Sequence, residues 1–264
     1  MLASPSFQPS GTGALRPYAV EMAALARIAL PLVLAMVGQI AITTTDMLML
    51  GWLGPEALAA TALALSAFHP IMLLGIGIGT AVTPLAAEAL AQRQVREMRR
   101  AVRQGLWAAV PFTALAVPGL WWIGGLFEAI GQDPGLSRTA ELYMRGVLPG
   151  LLFILIFNVL RSYATALERT RTILVVTMLA IPLNALINYG FIFGAFGLPR
   201  LEVLGAGLGS AITNLAMALA LIWVTLRRLP FRRHHVFGRF WRPDWPRFRA
   251  IHRIGIPIGL FILL

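Results

Sequence analysis

Asp46 lies five residues before Gly51, within the first long apolar stretch of the chain. A carboxylate inside a membrane-spanning helix is costly to insert, and such residues are kept where they bind or relay something. Gln39 and Thr43 precede it at intervals that put all three on one stripe of an otherwise apolar helix. Asn184 and Asn188 are four apart and share a helix face. Each amide offers a carbonyl oxygen that a partly dehydrated cation can use. The same amides could equally bond neighbouring helices together. Tyr143 and Arg145 open a later apolar segment, where a Tyr commonly anchors at the membrane interface. Ser210, Thr213 and Asn214 form a short polar face that reads as helix packing. His69 beside Pro70 reads as a buried, satisfied side chain, and Glu88 as an interfacial one.

Other chemistries find no residues to carry them. The chain has no Cys, no His pair at metal-ligand spacing, no nucleophile elbow and no phosphate-binding loop. This argues against an enzyme, a resident metal or an organic cofactor. A formal net charge of +11 raises the question of nucleic acid. The arginines, however, sit in short segments between apolar blocks, which is how loops on the cytoplasmic side of a membrane look. A nucleic-acid partner is not expected; the lipid bilayer is.

The elements that must position Asp46 and the two Asn residues are spanning helices. Hydrophobic residues make up 58% of the chain and charged ones 12%, about half the usual charged share of a soluble domain. Apolar runs near the roughly 20 residues needed to cross a bilayer are expected at 28–51, 58–85, 106–127, 173–196 and 203–226. A shorter core at 146–160 completes six, and a seventh run begins at 254. Nineteen of the 22 arginines then fall on one side, which places the N-terminus in the cytoplasm. The implied division is a cytoplasmic tail at 1–21, a six-helix lobe at 22–228, a connector at 229–253 and the start of a second lobe at 254–264. Pro31, entering the first helix, is a candidate hinge. Arg27-Ile28-Ala29-Leu30-Pro31-Leu32 is echoed 226 residues later by Arg253-Ile254-Gly255-Ile256-Pro257-Ile258. That offset suggests parallel six-helix repeats and a whole protein of roughly 450 residues. The connector, with its Arg residues and Trp241 and Trp245, reads as a cytoplasmic link.

Several segments together resemble the multidrug and toxic compound extrusion (MATE) family. They are Leu30-Pro31 with Gln39, Asp46 and Gly51-Trp52-Leu53-Gly54; Ala166-Leu167-Glu168-Arg169-Thr170-Arg171; and Pro182-Leu183-Asn184 with Asn188-Tyr189. Gly205-Ala206-Gly207 adds to them, and the likeness runs from Leu25 to Pro257. The resemblance implies an all-α integral membrane protein of the bacterial inner membrane, with twelve helices in two six-helix lobes, of which this chain is the first plus the start of a seventh helix. It implies export of drug-like or cationic small molecules by antiport against Na+ or H+. Asp46, Asn184 and Asn188 match the cation-coupling positions of the first lobe, with Tyr143 beside them. Some relatives carry a carboxylate where Asn188 stands, so Asp46 is the single deep acid here. The second lobe of the same protein would be the missing partner. A lipid-linked oligosaccharide flippase of the same superfamily, or a non-transporting fragment, is the alternative; a flippase would call for deep basic residues.

Overall fold

The computed structural model describes residues 15–229, 231–238 and 244–264. Arg239, Trp241 and Arg242 of the connector fall outside the described residues, as does most of the N-terminal tail. The helices run α1 (Leu15–Leu53), α2 (Pro55–Thr80), α3 (Val82–Ala91), α4 (Val95–Trp121), α5 (Ile123–Ala129), α6 (Pro134–Ala166), α7 (Thr170–Phe193), α8 (Glu202–Arg227) and α9 (Trp245–Leu263). Backbone amides and carbonyls have no water to bond in hydrocarbon, so each crossing segment closes its own hydrogen bonds as a helix. Five helical stretches are long and apolar enough to cross a membrane: Leu25–Leu53, Pro55–Ala91, Pro134–Ala166, Thr170–Phe193 and Glu202–Arg227. Helices α4 and α5, bent by 50° at Trp122, make a sixth if taken as one span.

Helix α6 is the hub, with α2, α4 and α8 packed around it. Helix α1 lies mainly along α7 and leaves Leu30, Val33, Val37 and Ile40 exposed. The buried apolar residues fall into two main clusters. One, around Met98, Leu160, Tyr163 and Ile173, lies toward the Arg-rich end. The other, around Leu50, Met144, Leu148 and Ile192, lies toward the opposite end. Helices α1, α7 and α8 each run from one cluster to the other. Asp46 falls between Ile42 and Met49, Asn188 between Ala180 and Ile192, and Ser210 between Ala206 and Met217. The polar residues therefore sit at the seam.

Helix α9 is docked on α2 and α4. A methyl group at Gly77 of α2 would collide with the backbone of Gly259, and one at Gly255 with the backbone of Ile78. Only glycine lets these two helices approach so closely.

Four helix starts differ from the sequence expectation. Helix α1 begins at Leu15 rather than near 28, α4 at Val95 rather than 106, α6 at Pro134 rather than 146 and α9 at Trp245 rather than 254. Runs of apolar residues mark only what lies in hydrocarbon, whereas these helices continue into water. There, local devices take over. Asp133 caps α6 by accepting from the Leu136 N–H at 2.9 Å, with Pro134 in the first turn. Asp244 caps α9 at the Arg247 N–H, inside the segment expected to be a connector.

Candidate functional site

Asp46 is buried, at 8% exposure, although its helix is the least buried of the five membrane-length helices. Two neighbours cover it. Asn188 Nδ2 of α7 donates to Oδ1 at 2.5 Å, and Ser210 Oγ of α8 donates to Oδ2 at 2.9 Å. None of the ion pairs among the described residues includes Asp46. The carboxylate is thus held by neutral donors alone. Such bonds stabilise its charge but do not neutralise it.

The two amides are more buried still, with no exposed surface. Asn184 Nδ2 is 3.5 Å from Thr213 Oγ1, whose own hydroxyl donates to the Gly209 carbonyl at 2.9 Å. The carbonyl oxygens Oδ1 of Asn184 and of Asn188 have no hydrogen-bond partner among the described residues. A buried amide oxygen left unpaired costs on the order of 1–3 kcal/mol. Two of them beside one unpaired carboxylate form a set of hard oxygens without a positive charge. Gly209 makes the arrangement possible: a methyl group there would overlap the Asn188 side chain.

A cavity of about 200 Å³ opens on this set. Asp46 and Asn184 lie in its wall with Gln39, Thr43, Tyr143, Ser210, Thr213 and Asn214. Apolar and soft side chains, among them Phe68, Met72 and Met217, complete it. Its lining includes no Arg. Asn188 is not in the wall and meets the site through Asp46. Gln39 turns toward Met217, with Nε2 3.8 Å from Sδ, and the Thr43 hydroxyl bonds back to the Gln39 carbonyl at 3.3 Å.

The sequence-derived residues Asp46, Asn184, Asn188, Tyr143, Gln39 and Thr43 therefore come together. Pro31 does not: it lies four turns away on α1, buried and outside the cavity wall. Its ring deprives the preceding turn of a helix hydrogen bond. In that turn the Ile28 carbonyl accepts from the Thr170 hydroxyl at 3.1 Å, which ties the proline region of α1 to the start of α7.

Two sequence readings are corrected. Ser210 was expected to serve packing, yet it bonds Asp46 directly. Its spacing with Thr213 and Asn214 was the available signal, but nothing in one helix reveals which partner its polar face meets. His69 was expected to be buried and satisfied; it is exposed and lines the same cavity.

No group of three or more His, Cys, Asp or Glu able to hold a metal ion occurs among the described residues. One carboxylate with neutral amide and hydroxyl oxygens carries too little charge for a tight divalent site and suits a monovalent cation better.

These features define a multi-pass helical membrane protein with an acid-centred polar cavity between its helices. The MatE family model matches residues 31–190, and the chain belongs to this family. It is 38% identical over 241 residues to a probable multidrug resistance protein NorM of Mesorhizobium japonicum, covering 90% of this chain and 52% of that protein. A probable multidrug resistance protein NorM of Brucella suis is 39% identical over 242 residues, covering 91% and 51%. The fold matches a MATE crystal structure in complex with MaL6 at a TM-score of 0.79 and 22% identity, over 91% of this chain and 52% of that one. The chain thus spans about half the length of the relatives it matches.

Proposed function

We propose that this chain forms the ion-coupling half of a secondary multidrug exporter. It would sit in the bacterial inner membrane with its N-terminus in the cytoplasm and expel cationic or drug-like molecules against Na+ or H+. The observation that carries this reading is the Asp46 carboxylate, without a basic partner among the described residues, beside two buried amide oxygens that none of those residues satisfies.

A cation entering from the cavity would take Asp46 as counter-ion, with the Ser210 hydroxyl and, once their amide groups turn over, the Asn184 and Asn188 carbonyl oxygens supplying neutral ligands. A proton could take the same carboxylate instead. The coupling ion and a cationic substrate would then compete for one negative charge, which is the essence of exchange. Because Asp46 lies on α1, its occupancy would bias how α1 packs on α7. A ligand shifts such an equilibrium only through differential affinity for the two packings. Thr170 and Pro31 mark the region where α1 could yield.

The cavity wall disfavours the flippase alternative. A pyrophosphate-linked lipid needs fixed positive charge, and the wall holds none in the form of Arg. The test is efflux from liposomes under an imposed sodium or proton gradient. Asp46→Asn should insert normally and reduce efflux to the level of protein-free liposomes. Efflux by the variant at the wild-type rate would overturn the assignment.

A further inference from the structure

A second cavity, of about 520 Å³, lies at the Arg-rich end of the molecule, where α1 meets the turn between α6 and α7. Arg27, Arg169 and Arg171 line it, with Glu168 as the one acid. None of these three arginines takes part in an ion pair among the described residues, and all three are exposed. Elsewhere in the same molecule Arg100, Arg145, Arg200 and Arg247 each find a carboxylate. The cavity therefore concentrates three arginines against a single acid, none of them ion-paired among the described residues. Helix α7 starts in its wall at Thr170 without a side-chain cap, which adds the positive end of a helix dipole.

Depth identifies the ligand. Arg27 immediately precedes the apolar run that begins near residue 28, and Arg171 lies two residues before the one that begins near residue 173. The cavity is thus at the boundary between hydrocarbon and headgroups. Below it, Leu30 and Val33 of α1 and Val175 and Leu179 of α7 are more than half exposed, an apolar surface beside which acyl chains can lie. A free anion would use the charge but not that surface.

We propose that this cavity binds the headgroup of an anionic phospholipid, with its phosphate held by Arg27, Arg169 and Arg171. The site joins α1 to α7, which between them carry Asp46, Asn184 and Asn188. The Thr170 hydroxyl already bonds the Ile28 carbonyl across the same cavity wall at 3.1 Å. A bound lipid would brace that helix pair from the membrane side. The proposal stands on charge, depth and exposed apolar surface, and does not require the exchange mechanism proposed above.

The test is retention of lipid by the purified, delipidated protein. Dioleoylphosphatidylglycerol and dioleoylphosphatidylcholine compete for it at equal concentration, and native mass spectrometry counts the adducts. The wild type should prefer the anionic lipid by on the order of 10- to 100-fold, the range three arginines near a headgroup can supply. The variant Arg27→Gln/Arg169→Gln/Arg171→Gln should lose most of that preference. A control with the same charge change elsewhere, Arg96→Gln/Arg228→Gln/Arg232→Gln, should keep it. Thermal unfolding provides the second measurement. Phosphatidylglycerol should stabilise the wild type more than phosphatidylcholine or inorganic phosphate does. Equal preference in the first triple variant and the wild type would overturn the site. Stabilisation by inorganic phosphate equal to that by the lipid would reduce it to a free-anion site, and no preference in the wild type would remove it altogether.

Discussion

Two carboxylate clusters in this protein have opposite characters. At the Arg-rich end, Asp244 bonds Arg100 and caps α9, while Glu97 accepts from Arg100 at 2.6 Å and from Arg247 at 2.7 Å. Both acids of this cluster have a basic partner, and the partners tie the start of α9 to the start of α4. At the seam of the core, Asp46 has only an amide and a hydroxyl. The first cluster is complete in itself and serves to hold two helices. The second is short of one positive charge and leaves two buried amide oxygens unpaired, although burial makes such deficits expensive. A deficit kept at that cost points to a transient ligand, whereas a balanced cluster points to structure. The difference lies in the partners, since both clusters are built around an Asp.

Neutralising the two Asp residues separately should break the comparison most visibly. Asp46→Asn should abolish gradient-driven efflux, while Asp244→Asn should leave it largely intact and lower thermal stability instead. Loss of efflux in both variants, with folding preserved, would erase the distinction. Next in size is Asn188→Ala, which removes a hydrogen bond to a charged group worth about 1.5–3 kcal/mol. The sodium concentration for half-maximal efflux should rise by roughly tenfold or more, since about 1.4 kcal/mol is tenfold, whereas a carboxylate that loses a donor holds a proton more tightly and half-maximal proton-driven efflux should move to higher pH. Ser210→Ala should act in the same direction, and no change in either variant would contradict a shared site.

Asp244→Ala should cost about 1–2 kcal/mol, mostly the lost cap, because the surrounding ion pairs are partly exposed. That corresponds to a fall of a few degrees in Tm in detergent. Burial acts to raise the Asp244 pKa, but the hydrogen bond and charge of Arg100 outweigh it and hold this carboxyl below the usual carboxylate range. Its contribution is therefore fully present above the unfolded value of about 3.9 and is lost as pH falls through the lower folded value. The Tm gap between wild type and variant should stay constant from neutral pH to about 4 and narrow below that. A gap that closes between pH 7 and 5 would mean another group is responsible. The gentlest perturbation tests orientation. Gln94 and Gly135 are both exposed, at opposite ends, and the chain has no Cys. In intact cells an impermeant thiol reagent should label Gly135→Cys and spare Gln94→Cys; the reverse pattern would invert the topology.

The seam residues were legible because their chemistry conflicts with their surroundings. A carboxylate at position 46 and amides at 184 and 188 stand out in apolar runs, and the spacing of four puts both amides on one face. Ser210 was not legible, because a hydroxyl on a membrane helix serves packing as readily as binding and only the crossing of α8 with α1 gives it Asp46. The early starts of α4 and α9 were hidden for a different reason. Their first turns are rich in Arg and resemble loop sequence; what keeps them helical is a set of ion pairs between residues nearly 150 positions apart. Gly77, Gly255 and Gly259 could be seen as small residues, but their pairing into one helix crossing depends on tertiary position.

The most direct test is whether a substrate displaces an ion from Asp46. Purified protein in weakly buffered detergent, with or without sodium, is mixed with tetraphenylphosphonium as a model lipophilic cation. A pH-indicator dye and a sodium-selective electrode follow what is released. The wild type and Asp244→Asn should release protons or sodium as the cation binds, and Asp46→Asn should release neither. Undiminished ion release from Asp46→Asn would place the exchange site elsewhere.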